Sequence, residues 1–150
     1  MAFHTLLDSA DRTSLLLRAA RLQPGTTPRW GRMDASQMMR HCVEALRASL
    51  GEVRHQPLGR RLFHTGLAKY LIIRVLPFPK GAPTSPELRI TGSGDLDAER
   101  ARLEELVGRY AAPTEHDVRA EHPLFGVLTR EEWAGLEYKH VDHHLRQFAV

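Results

Sequence analysis

The chain has 150 residues, a length that predicts a single domain, residues 1–150, with one hydrophobic core. Its content of 42% hydrophobic and 26% charged residues is typical of a globular protein. The net charge is only +3 and the arginines are scattered, so nothing indicates nucleic-acid binding. The most apolar segment, TGLAKYLIIRVLPF, contains two basic residues and is too short to span a bilayer. Cys42 is the only cysteine and no signal peptide is visible, which predicts a cytoplasmic protein without an internal disulfide.

Hydrophobic periodicity and capping signals predict three helices in the first half of the chain. The first covers residues 5–22 and ends before a Pro-Gly pair. Asp34 and Gln37 form a capping-box pattern that begins the second helix, residues 35–53. A proline suits the first turn of the third helix, residues 58–76, and two further prolines end it.

The second half of the chain contains a long loop and two more helices. Residues 77–95 hold four prolines and three glycines and are predicted to form the loop, in which only ELRIT alternates like a short strand. A capping aspartate begins a helix over residues 96–111, and Thr129 with Glu132 forms a capping box for the last helix, residues 130–148. The predicted fold is all-α: a four-helix bundle with an additional helix and a long Pro/Gly-rich loop.

Three histidines lie within five positions of the last predicted helix, in KHVDHHLRQF. At about 100° per residue, His140 and His144 fall within the apolar arc of the helix, and His143 falls on its polar border. The inward pair is stacked one turn apart, about 6 Å along the axis. Two interpretations are open: a pair of metal ligands, or core histidines that are each hydrogen-bonded to a buried partner.

A metal needs a third ligand, and the second helix offers His41. This residue lies at the edge of the apolar face of its helix, beside alanines that would let a partner helix approach closely. Taken alone, His41 is better explained as a rim histidine bonded to solvent. Cys42 points about 100° away from it and is interpreted as a small buried hydrophobic residue.

Two longer strings carry a resemblance to a known family. They are WGRMDASQMMRHCVEAL, before and through the second helix, and HPLFGVLTREEWAGLEYKHVDHHLRQF at the end. With one histidine in the second helix and HxxxH in the last, most of the chain resembles the DinB-like superfamily of helical-bundle metalloenzymes, and within it a little-characterised branch.

The resemblance implies a four-helix bundle in which His41, His140 and His144 bind one divalent metal, commonly zinc or nickel. It also implies that the protein could form a homodimer, as many members do. Relatives include metal-dependent transferases that use low-molecular-weight thiols such as bacillithiol, mycothiol or glutathione, and a thiol-dependent isomerase. For the branch resembled here, the likeness implies the site but no particular substrate.

Four further residues are candidates for the surroundings of the metal. Glu137 precedes His140 by three residues inside the apolar arc; it is a candidate for the site, or otherwise a long side chain that reaches solvent from the rim. Glu-x-x-His is also half of a di-metal carboxylate site, but the nearest partner motif, which begins at His41, has the reverse order, so one ion is favoured. Gln147 is placed to hydrogen-bond a ligand imidazole.

His122, in HPLFG, either reaches the mouth of the site or is a solvated or structural loop residue. Trp30 is expected to pack in the core or to form the wall of a pocket, and the same is expected of Trp133. The remaining histidines are expected at the surface: His4, His55, His64 and His116.

Three protein ligands would leave a fourth metal position open, as in catalytic zinc sites. The sequence therefore predicts a metal-dependent enzyme that acts on a small-molecule substrate, by thiol transfer or hydrolysis, with a low-molecular-weight thiol as a candidate co-substrate. The alternative is a non-catalytic helical bundle that serves as a metal-binding or stress-response module.

Overall fold

The computed structural model describes residues 3–58, 61–82, 84–113 and 121–150. Its α-helices are α1 (Ser9–Ala19), α2 (Ala35–Ser49), α3 (Gly66–Tyr70), α4 (Leu96–Gly108) and α5 (Arg130–Gln147). These ranges contain no β-strand, and their one isolated bridge joins residues 122 and 126. The prediction of an all-α fold is confirmed. No helix in these ranges has the length and hydropathy that crossing a membrane requires.

The four longer helices form a closed ring of contacts. Helix α2 packs against both α4 and α5, and α1 packs against the same two helices from the other side. The main hydrophobic core lies between them and includes fully buried leucines of α1, α2 and α4. The π-helical segment Leu71–Val75, which follows α3, forms a smaller apolar cluster with the loop before α5 and the first half of α5. This arrangement brings α2 and α5, the two helices with the candidate ligands, side by side.

Both predicted capping boxes are present. The side chain of Asp34 accepts from the backbone N–H of Gln37 while the Gln37 side chain accepts from that of Asp34. Thr129 and Glu132 make the same reciprocal pair at α5. Because these bonds satisfy backbone donors that have no partner within the helix, α2 and α5 begin at the predicted residues.

Other boundaries differ from the predictions. Helix α1 begins at residue 9 rather than 5, because the chain before it is bound to α5 through the N–H of Leu6 and the carbonyl of Ala134, 3.1 Å apart. Helix α2 ends at residue 49 rather than 53, where Gly51 adopts a φ of +77° that no helix continues.

The third predicted helix, residues 58–76, is divided. A 3₁₀ turn at Arg61–His64 precedes Thr65, whose side chain caps the short α3, and a π-helix follows at Leu71–Val75. The backbone N–H of Leu58 bonds instead to the carbonyl of Pro123. The loop 77–95 is irregular as predicted, apart from a 3₁₀ turn at Pro86–Leu88, and ELRIT forms no strand. Residues 114–120, which include His116, lie outside the described part of the chain.

Candidate metal centre

Three histidines converge between α2 and α5. His41 comes from α2, and His140 and His144 come from successive turns of α5. Their ring centroids are 4.7–4.9 Å apart, and one candidate ligand atom from each lies within 4.8 Å of the others. The Nε2 atoms of His41 and His140 are 3.0 Å apart. No other group of three possible His, Cys, Asp or Glu ligands occurs in the described ranges.

Hydrogen bonds fix which nitrogen two of these rings present. The Nδ1 atom of His41 is 2.9 Å from the carbonyl oxygen of Leu88. A carbonyl oxygen can only accept, so Nδ1 carries the proton and Nε2 keeps its lone pair. The 3₁₀ turn at Pro86–Leu88 thus positions the backbone group that orients His41.

Gln147 orients His144 in the same way. The Nε2 group of Gln147 donates to the carbonyl of Trp30 at 2.6 Å, which leaves Oε1 as the atom facing the Nδ1 atom of His144 at 2.8 Å. The Nδ1–H of His144 therefore donates to Gln147, and its Nε2 lone pair stays available. Gln147, predicted to hydrogen-bond a ligand imidazole, makes this contact.

All three imidazoles are neutral near pH 7. Burial, together with the nearby His140, lowers the pKa of His41 to about 4. Burial alone lowers the pKa of His140 to about 4, and burial together with the two neighbouring histidines lowers that of His144 to about 2. Neutral imidazole is the form that binds a metal, so the rings need not lose protons first.

The donor set fits a divalent ion of the zinc type. Imidazole nitrogens bind zinc at about 2.0–2.1 Å, which places two of them about 3.3 Å apart in a tetrahedral site. The 3.0 Å between the Nε2 atoms of His41 and His140 is close to that spacing. If His140 also presents a lone pair at Nε2, three nitrogen lone pairs face one space and repel one another, and a cation between them removes the repulsion.

Glu137 lies behind the ring of His140. Its side chain is only 3% exposed, and its Oε2 atom is 3.8 Å from the Nδ1 atom of His140. Burial raises the pKa of this carboxyl group to about 8. The interpretation of Glu137 as a rim side chain that reaches solvent is wrong, because this residue is buried where the π-helical segment Leu71–Val75 packs against α5. Glu137 is not a member of the group of possible ligands.

Aromatic and cationic side chains border the centre. The ring of Phe78 lies 5.6 Å from His140 and 5.4 Å from His143. Trp30 is half-buried rather than in the core; its ring meets the edge of His143 at 5.6 Å, and the Nζ atom of Lys80 lies 4.4 Å from its centroid. The other tryptophan, Trp133, is fully buried as expected.

His122 has a structural role. Its Nδ1 atom accepts hydrogen bonds from the backbone N–H groups of Leu124 and Phe125, and its ring packs against Phe125 and Trp133. Burial lowers its pKa to about 3. Of the interpretations open for His122, the one as a structural loop residue agrees with these contacts.

Two of the histidines expected at the surface, His4 and His64, are exposed. His55 is half-buried instead and acts electrostatically on the buried His41 and His122. Cys42 is buried as predicted, and its thiol points to the sulfur of Met38 at 3.8 Å. Burial raises the pKa of the Cys42 thiol, which keeps it protonated.

Sequence reasoning missed two contacts of the centre. The carbonyl of Leu88 is a backbone group that any residue could supply, and Phe78 lies in a loop without periodicity. Neither position has a local signal that could have revealed it.

A family described as "Protein of unknown function (DUF1569)" matches residues 4–150 of the chain. The chain belongs to the DUF1569 family. Because the match runs from before α1 to the end of α5, the three histidines and their hydrogen-bond partners all lie in the DUF1569 region. Comparisons with curated proteins and with solved structures give no match.

Proposed function

We propose that this chain is a single-domain metal-dependent enzyme of the DinB-like type, in which His41, His140 and His144 hold one divalent ion. The observation that carries the proposal is the convergence of three neutral imidazoles, two of which have their Nδ1 protons committed to Leu88 and Gln147. A hydrogen bond between His41 and His140 would explain their 3.0 Å contact without a metal. It gives no reason for the third imidazole, that of His144, to lie against the same two rings.

The fourth position of the ion is proposed to be open. The buried carboxyl group of Glu137 faces the Nδ1 side of His140, away from the converging Nε2 atoms. The thiol of Cys42 is directed at Met38. Three protein ligands with no fourth candidate are typical of catalytic rather than structural zinc sites.

An ion at such a site lowers the pKa of a bound water or holds a thiolate for attack. The residues of the chain would hold the imidazoles rigid through Leu88 and Gln147 and limit water access through Phe78. The resemblance to DinB-like transferases favours transfer of a low-molecular-weight thiol to a small substrate, with hydrolysis as the second reaction class. Zinc and nickel are the proposed metals, since both accept imidazole and thiolate ligands.

A non-catalytic metal-binding module is the second candidate. It is favoured by the near-complete burial of the three imidazoles, since a bound ion would have little contact with solvent. The two candidates differ in whether an external small molecule reaches the ion.

The first experiment measures metal content. Purified wild-type protein should contain about one divalent ion per chain by elemental analysis, and the His140→Ala/His144→Ala double variant should contain none. His143→Ala is the matched control, because His143 is on the same helix but is not one of the converging ligands. An ion retained by the double variant would refute the three-histidine site.

Thermal unfolding provides an independent measurement. At a free-metal concentration of 100 times Kd, binding to the native state alone adds about 2.7 kcal/mol to the free energy of unfolding. For a protein of this length that corresponds to a rise in Tm of roughly 5–10 °C. The rise should disappear with a chelator and be absent from the double variant. A Tm that is the same with and without chelator would contradict the proposal that a bound ion links α2 to α5.

The second experiment distinguishes the two functions. In cobalt-substituted protein, a small thiol that reaches an open position should produce a sulfur-to-metal charge-transfer band, and His41→Ala should lack the band. Spectra that no thiol changes, while cobalt remains bound, would replace the enzyme proposal with the binding module.

A further inference from the structure

A buried carboxyl group with an oxygen that has no hydrogen-bond partner in the described residues stands beside the proposed ion. The Oε2 atom of Glu137 is fully buried and accepts no hydrogen bond from the described residues. Buried polar groups are nearly always paired, since an unpaired one is destabilising, and an exception needs an explanation. The Nδ1 atom of His140 lies 3.8 Å from this oxygen.

Among the three proposed ligands, His140 is the one whose second nitrogen has no acceptor in the described part of the chain. The Nδ1–H groups of His41 and His144 donate to Leu88 and Gln147. For His140, the described part of the chain shows only the contact of its Nε2 atom with His41 and the longer approach to Glu137. If Nε2 gives its lone pair to an ion, the neutral ring must carry its proton on Nδ1, directly opposite the free carboxylate oxygen.

We propose that Glu137 is the positioning residue of His140: its Oε2 atom accepts a hydrogen bond from the Nδ1–H of His140 when Nε2 binds the ion. The contact must shorten by about 1 Å to reach hydrogen-bond length, which small rotations of two side chains one turn apart on α5 provide. Each ligand would then have its own acceptor: a backbone carbonyl, a side-chain amide and a carboxylate. This inference rests on the proposed metal site.

The test uses variants that separate metal affinity from the stability of the metal-free protein. Glu137→Leu removes the acceptor, Glu137→Gln keeps a neutral acceptor of the same shape, and Glu131→Gln is the matched control at an exposed position of the same helix. Zinc affinity is measured by competition with a chromophoric chelator, and metal-free stability by urea unfolding.

Loss of an orienting hydrogen bond to a ligand should weaken zinc binding about 10–100-fold in Glu137→Leu. Glu137→Gln should lose less, because its amide oxygen can still accept from Nδ1–H, and Glu131→Gln should equal the wild type. The metal-free Glu137→Leu variant should be at least as stable as the wild type, because a buried carboxyl group with an unpaired oxygen has been removed. A residue with only a structural role would lower stability and zinc affinity together.

A spectroscopic measurement covers the case in which Glu137→Leu does not fold. In zinc-loaded protein with ¹⁵N-labelled histidine, His140 should be protonated at Nδ1, and its proton resonance should move upfield in Glu137→Gln. Two results would overturn the role of Glu137 without touching the metal site: an unchanged His140 resonance in Glu137→Gln, or wild-type zinc affinity in Glu137→Leu while the three histidines still hold the zinc. A wild-type protein that takes up no zinc would instead refute the metal site itself.

Discussion

Replacing Gly31 by alanine should disturb the metal centre from outside it. Gly31 has a φ of +83°, and a Cβ atom built on it would lie 2.5 Å from the Nε2 atom of Gln147. That same nitrogen donates to the carbonyl of Trp30, and the other end of the amide accepts from His144. The added methyl group must therefore push the Gln147 amide away from both of its partners or shift the backbone.

The expected loss of stability has two parts. An alanine in the left-handed region costs about 1–2 kcal/mol relative to glycine. Displacing the amide leaves the buried Nδ1–H of His144 unpaired, at about 1–3 kcal/mol, whereas the carbonyl of the half-buried Trp30 is expected to bond to water instead. We expect the free energy of unfolding of metal-free Gly31→Ala to fall by about 2–5 kcal/mol.

Zinc affinity should fall as well, by about 10-fold or more, because His144 loses the acceptor that fixes its ring. Gly25→Ala is the matched control: Gly25 has no positive φ, and its added Cβ would meet nothing within 4 Å. Urea unfolding of both metal-free variants and chelator competition measure the two effects. If Gly31→Ala matched Gly25→Ala in stability and in zinc affinity, the coupling from Gly31 through Gln147 to His144 would be wrong.

Two predictions concern stability away from the ligands. The folded-state pKa of His122, about 3, lies below its unfolded value of 6.5, so its contribution is fully present above pH 6.5 and is lost as the pH falls toward 3. By pH 5 this titration lowers the free energy of unfolding by about 2 kcal/mol. Asparagine does not titrate, so between pH 8 and pH 5 the free energy of unfolding of chelator-treated His122→Asn should fall by about 2 kcal/mol less than that of the wild type. Equal losses in urea unfolding would contradict the assignment. Thr129→Ala removes the cap of α5 and should lower the free energy of unfolding by about 1 kcal/mol, whereas Thr129→Ser should restore most of it; an alanine variant as stable as the wild type would show that the cap contributes nothing.

Features that depend on neighbours along the chain could be predicted from the amino-acid sequence. Helices α2 and α5 begin at the predicted residues because a capping box is made by two side chains three positions apart. The inward direction of His140 and His144 followed from helical periodicity, since apolar residues on one face identify the buried side. Local geometry is sufficient for such features.

The contacts that these inward side chains make could not be predicted in the same way, because they depend on how distant segments pack. The carbonyl that orients His41 belongs to a loop residue 47 positions away, and backbone carbonyls are the same for every residue type. Glu137 is buried where the π-helical segment Leu71–Val75 packs against α5. The apolar pattern of the third predicted helix does not indicate that this helix is divided into α3 and a π-helical segment. Helical periodicity predicts which face of a helix is buried. It does not predict which atoms pack against that face, because these come from distant parts of the chain and their positions depend on the packing of the whole core.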